Sequence, residues 1–180
     1  MSIGTELDGQ IKASKNATEK LKVIYQYVQK TMDWNSYAGY YCLSAKEAWS
    51  KKTGSTGDIN MVLLNLLKDA GIEAYPLRAS TRDHGRVYSA YPLLSQFNEL
   101  IVYAEVDGKV YIMDASDKYN PCNLIPLDVL GTDAFLVDNE RSGFVTLWDS
   151  RSVHKNMISI SGVIGDDDVL KGEVNINSFD

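Results

Sequence analysis

Gly54-Ser55-Thr56-Gly57-Asp58-Ile59-Asn60 runs straight into the largely apolar block Met61 to Leu67, and the pattern closes at Gly71. The small and polar residues ahead of the block read as a loop feeding the N-terminus of a helix. Ile59, Val62, Leu63, Leu64, Leu66 and Leu67 put apolar side chains on more than one face. A helix over 57–70 is therefore buried on most sides, with Gly71 as its C-terminal cap. Such a helix is the centre of its domain.

Upstream, Leu21, Ile24, Tyr25, Val28 and Met32 recur at helical spacing and predict an amphipathic helix over 17–32, capped by Asn16 or Thr18. Ser44 followed by Glu47 has the form of a capping box, and the short helix it starts carries Ala48 and Trp49 and ends before Gly54. Downstream, the period shifts towards two. Strands are predicted over 73–79, 100–106 and 109–113, with Asp107-Gly108 as a two-residue hairpin turn between the last two. The segment from Ser80 to Phe97, with Gly85, Pro92 and Gln96, is a long polar and aromatic loop of the kind that carries function. Helices first and an antiparallel sheet afterwards give an α+β class.

At 180 residues, 44% hydrophobic and 23% charged, the chain can build a sizeable core. Its net charge of -6 and the lack of a dense Lys/Arg run argue against nucleic acid or an anionic membrane surface as partner. No stretch is apolar for the length of a spanning helix, so membrane insertion is not expected. Cys42 and Cys122 are too few for a disulfide framework or a four-ligand zinc site, and one disulfide between them is left open. His84 and His154 lack metal-ligand spacing, and the run Asp166-Asp167-Asp168 reads as a solvated turn rather than a calcium loop, so no metal or cofactor is expected.

The order of helix, Gly-x-x-x-Asp at a buried helix start, Ala70-Gly71-Ile72 exit, strand, long loop, and two strands ending in Asp114 resembles the transglutaminase-like core of the papain-like superfamily, in its bacterial form, over residues 15 to 138. The resemblance rests on Ala70-Gly71-Ile72-Glu73-Ala74-Tyr75, on Ser80-Thr81-Arg82 leading to Tyr91-Pro92 and Gln96-Phe97-Asn98, and on Val106-Asp107-Gly108-Lys109 followed by Met113-Asp114-Ala115. It implies an α+β papain-like core over 1–143, with 144–180 as a strand-like extension that begins a following β domain. It also implies a bacterial protein of which this chain is a piece, with an extracytoplasmic setting.

Carried over by residue, the family's catalytic cysteine falls on Thr56, its histidine on Glu99 and its aspartate on Asp114. Such a site needs a thiolate, generated by an imidazolium and by the field at a helix N-terminus, and neither effect ionises a threonine hydroxyl usefully near neutral pH. Glu99 is acceptor-only when ionised, and Asp114 has no imidazole left to orient. Two neighbouring carboxylates would raise one pKa and suit acid-base chemistry, yet the same pair is what remains when a histidine is lost and its partner stays. The expected role is accordingly that of a degenerate, non-catalytic module holding a peptide or polysaccharide partner in the former cleft, or spacing adjacent domains.

The alternative is a hydrolase or acyltransferase with a non-standard nucleophile. Thr56 or Ser55 would use His84 as base, although His84 stands fifteen positions ahead of Glu99 in a loop. Cys42, after Tyr37, Tyr40 and Tyr41, would be a replacement thiol, against its more ordinary use as a small buried hydrophobe. Trp34, Tyr37, Tyr40, Tyr41, Tyr88 and Tyr91 could line a groove for peptide or sugar, with Trp34 better suited to packing between helix and sheet.

Overall fold

The computed structural model describes residues 5–42, 44–91, 93–149, 155–166 and 168–179; Pro92, His154 and Asp167 of the sequence reading lie outside them. Helix α1 (Thr5–Ala13) leads into α2 (Ala17–Thr31). Asn16 caps α2, its side chain accepting from the Glu19 N–H at 2.8 Å, and the expected stripe of Leu21, Ile24, Tyr25 and Val28 is buried. Two-residue strand β1 (Asp33–Trp34) follows, then α3 (Ala45–Lys51), capped by Ser44, and β2 (Thr53–Gly54), which pairs in parallel with β1. Only half of the capping box forms at Ser44, because the Glu47 carboxylate turns to Lys51 one helical turn on.

Helix α4 (Thr56–Asp69) is the buried helix that opened the sequence reading. Its capping box is formed by Ser55 and Asp58, each bonded to the other's backbone N–H, which satisfies donors that would otherwise be orphaned beneath the protein surface. Gly71 ends it with φ +77°, left-handed as a helix terminus of this kind requires.

Five antiparallel strands follow: β3 (Ala74–Ala79), β4 (Glu99–Val106), β5 (Lys109–Met113), β6 (Asp133–Leu136) and β7 (Gly143–Thr146), in the spatial order β5-β4-β3-β6-β7. Asp107 and Gly108 both have positive φ and close the β4–β5 hairpin between Val106 and Lys109. The sheet is covered on both faces. Ala74, Val102, Ala104, Tyr111 and Met113 pack under α2 and α4 in one apolar cluster, and Leu77, Ile101, Ile112, Ala134 and Leu136 gather Val129 and Leu147 on the other side. The long loop over 80–97 contains a single turn of 3-10 helix, Leu94–Gln96.

The chain divides into two compact units, Met1–Trp148 and Asp149–Asp180. The division falls after Trp148 and not at Phe144, because Phe144 sits in β7 opposite Phe135 and completes the five-stranded sheet. In the second unit, β8 (Lys155–Ile164) and β9 (Leu170–Phe179) form one long antiparallel hairpin. Its register sets Ile158, Ile160 and Ile164 opposite Ile176, Val174 and Leu170 on one largely apolar face, while the reverse is mixed, pairing Met157 with Asn177, Ser159 with Asn175 and Val163 with Lys171.

Candidate functional site

Pairing Val102 of β4 with Met113 of β5 brings the start of one strand and the end of the next to the same end of the sheet. The N-terminus of α4 arrives there too. A cleft of about 460 Å³ opens at this junction, lined by Thr56, Glu99, Asp114, Ser116, Asp117, Tyr119 and Asp128, with Asp33, Trp34 and Lys118 at its side. The three positions singled out in the sequence thus share one cavity.

Thr56 is the first residue of α4 and is only 2% exposed. Its backbone N–H donates to the Tyr37 carbonyl at 3.1 Å, and its hydroxyl has Ser116 Oγ 3.4 Å away. The next residue must be glycine, since a Cβ at position 57 would stand 2.2 Å from the Tyr41 carbonyl oxygen. Backbone of 39–41 therefore presses directly on the helix start, shielding one side of the threonine.

Asp114 follows the end of β5 and is buried. Its Oδ1 accepts from Asn60 Nδ2 at 2.8 Å, from the Ser116 N–H at 2.9 Å and from Ser116 Oγ at 2.7 Å. Burial nevertheless wins, and the carboxyl is held above the usual range despite the bonds from Ser116 and Asn60 that favour the ionised form. Asn60 also donates to the Leu100 carbonyl at 3.0 Å and accepts from the Ala115 N–H at 2.9 Å, so one amide ties α4 to both strands. Beneath it the Tyr25 hydroxyl lies 2.8 Å from the carbonyl oxygens of Asp114 and Asn120.

Glu99 is different. Its carboxyl has no hydrogen-bond partner among the described residues, and burial, followed by the charges of Asp114, Asp128 and Asp83, pushes its pKa up to about 7. Near neutral pH it is divided between acid and carboxylate. The cleft lining holds five carboxylates and a single cation, Lys118, which is itself paired with Asp33.

The remaining candidates stand apart from this arrangement. Ser55 Oγ is occupied by Asp58, donating to Oδ2 at 2.8 Å and accepting from the N–H. Cys42 has its thiol pushed up to about 12 by burial and then by the Asp58 carboxylate, the opposite of what a thiolate nucleophile needs. Cys42 and Cys122 are both free thiols. His84 is exposed, its Nε2 donating to the Ser95 carbonyl at 3.1 Å, and it is not among the residues that line the cleft. Trp34 is not packed between helix and sheet as expected: it is 46% exposed at the cleft, because its parallel pairing with Gly54 holds it beside the α4 N-terminus. Tyr37, Tyr41, Tyr88 and Tyr91 are exposed and outside the lining, and the second aromatic of the cleft is Tyr119.

Sequence reasoning missed Asn60, Ser116 and Tyr119, together with the outer carboxylates. Asn60 had a readable signal, a polar residue one helical turn after Thr56 within an apolar run. Ser116, two residues after Asp114, had the spacing of an Asx turn. Nothing local marks Asp33 or Asp128.

No family model matches the chain, and no curated protein does either. Among solved structures, a provisionally named protease from Parabacteroides distasonis superposes over 80% of this chain with a TM-score of 0.57 at 20% identity. The chain shares the α+β fold of that structure. A structure named a TGase matches over 67% of the chain (TM-score 0.46, 11% identity), and a provisionally named cysteine protease from Cytophaga hutchinsonii over 97% (TM-score 0.48, 14% identity). The chain spans 27%, 35% and 50% of the lengths of these three. Among the described residues, no helix is long and apolar enough to cross a membrane.

Proposed function

We propose that this domain is a non-catalytic member of the transglutaminase-like fold whose cleft binds a peptide-like partner, as one part of a longer bacterial polypeptide. The observation that carries the reading is the surroundings of Thr56. A buried hydroxyl stands at the helix N-terminus with another hydroxyl as its neighbour, and the one imidazole among the described residues is engaged on a loop carbonyl elsewhere. Acyl transfer from an alcohol requires a base to take its proton as the bond forms. The cleft offers carboxylates of raised pKa and no oriented imidazole. What it retains is a shaped cavity with two aromatic side chains and an excess of acceptors, which suits a segment rich in N–H donors or positive charge.

One observation favours a second reading. Glu99, poised near neutrality beside Asp114, has the character of a general acid-base pair, so hydrolysis by a carboxylate mechanism is the enzymatic alternative.

The test has a covalent arm and a binding arm. Iodoacetamide and a fluorophosphonate should leave Thr56, Ser55 and Cys42 unmodified in the native chain, whereas the double variant Thr56→Cys with Glu99→His should regain alkylation at position 56. An adduct on Thr56 of the native protein, or turnover that disappears in Glu99→Gln, sinks the non-catalytic assignment. In a peptide array, basic sequences should be retained, and Tyr119→Ala or Asp117→Asn should weaken them without changing the melting temperature. Retention of no peptide, or of glycans alone, removes the peptide-binding role.

A further inference from the structure

A second cavity, of about 260 Å³, lies away from the cleft, between the sheet and the long loop. Its floor follows from register. Leu100, Arg78, Phe135 and Phe144 are directly cross-strand neighbours on β4, β3, β6 and β7, so they share the sheet face on which α2 and α4 pack. The helices cover that face over β4, β5 and β3. Towards β6 and β7 the cover is Leu93, Leu94 and Phe97 of the loop, and the space left between is walled by these three, Phe135, Val137 and Phe144. Phe135 and Phe144 meet edge to face, with centroids 5.1 Å apart, which gives the floor a rigid aromatic surface.

One wall is charged. Arg78 is the sole ionisable residue lining the cavity, and no carboxylate pairs with it there. Its guanidinium carbon lies 5.7 Å and 5.9 Å from the ring centroids of Tyr40 and Tyr41, contacts that soften the charge but accept no hydrogen bond from the fork of N–H donors. Arg78 Nη1 is the one side-chain polar atom among the described residues that is buried without a hydrogen-bond partner. A buried guanidinium nitrogen with no acceptor is an unfavourable arrangement that an incoming oxyanion relieves.

We propose that this cavity is a binding site for a small apolar carboxylate, its hydrocarbon or aryl body on Phe135, Phe144 and Leu94 and its carboxylate turned onto the Arg78 guanidinium. Charge complementarity selects the acid over its neutral analogues. The planar fork favours a carboxylate over a spherical anion, and the small volume and apolar walls favour a small molecule over a charged polymer. The site is independent of the acidic cleft, whose excess negative charge would repel the same ligand.

Naphthalene-2-carboxylate and naphthalene-2-carboxamide, titrated into the full 180-residue chain at pH 7, separate charge recognition from apolar binding. The carboxylate is expected to bind about tenfold or more tightly than the amide, the difference made by a charge-assisted hydrogen bond, and to shift the Arg78 Nε–H resonance, which the amide leaves in place. Arg78→Met should abolish the preference and leave the melting temperature unchanged or higher. Phe144→Ala, on the opposite wall, should weaken both probes in parallel and keeps the test open if the arginine variant does not fold. Equal affinities for the two probes, a preference that survives in Arg78→Met, or resonance shifts at Trp34 and Tyr119 in place of Arg78 would overturn the assignment.

Discussion

Glu99 carries a pH signature that follows directly from its surroundings. Its folded-state pKa of about 7 stands above the ordinary carboxylate value of 4.5, so between these limits the folded protein holds a proton that the unfolded chain has released. The favourable contribution is fully present below about pH 4.5 and is lost as pH rises through 7. Replacing Glu99 by Gln removes this loss. The variant should match the native protein in urea denaturation near pH 4 and exceed it at pH 8 by on the order of 2 kcal/mol. A variant less stable than the native chain at pH 8 would mean that the carboxylate has a favourable partner after all. Asn60 makes the converse case. It bonds Leu100, Ala115 and Asp114 at once, and Asn60→Ala removes all three bonds in a buried setting, leaving Asp114 only those from Ser116. The expected cost is about 3 kcal/mol in the same measurement, well above that of an exposed asparagine.

Among the elements, α4 depends on how closely other backbone approaches its first turn. Gly57→Ala drives a methyl group against the carbonyl oxygens of Tyr41 and Gly39, which are chain and cannot swing aside as a side chain would. Destabilisation of about 1–3 kcal/mol is expected, with displacement of residues 37–42 visible as changed amide shifts there. Gly9 is the matched control. It lies in α1 with nothing within 4 Å of an added Cβ, so Gly9→Ala should raise stability by about 0.5–1 kcal/mol through helix propensity alone. The same element shows where sequence is a good guide. The apolar run, the Asp107-Gly108 turn and the stripe of α2 were legible because each is enforced by neighbours within one or two turns of chain. Strands β6 and β7, at four residues each, are too short to carry a clear alternation; β6 is a strand because β3 offers it a free edge, and β7 because β6 in turn offers one.

For the molecule as a whole, the two units differ in how they are held. The first closes two apolar clusters, one on each face of its sheet, and its central helix is buried in the one it shares with α2. The second is a single hairpin whose apolar residues, from Ile158 to Ile176, are exposed within it. A two-stranded hairpin alone is marginally stable in water. Backbone amides of β8 and β9 should therefore exchange with deuterium at least about 100-fold faster than those in the middle of α4, which open only with global unfolding. Equal protection in both would mean that the hairpin and the sheet-containing unit unfold as one.

From the chain of letters alone came the α+β class, the buried helix, the hairpin and the resemblance that directed attention to Thr56, Glu99 and Asp114, since each of these rests on local periodicity or on residue identity at a motif. Folding in three dimensions added what depends on residues far apart in sequence. It brought Asp33 and Asp128 to the same cleft, drew Asn60 across to Leu100 and Asp114, set Arg78 against an aromatic floor made by two other strands, and left His84 bonded to its own loop. Electrostatics and burial are sums over spatial neighbours, and those neighbours exist only once the strands have found their register.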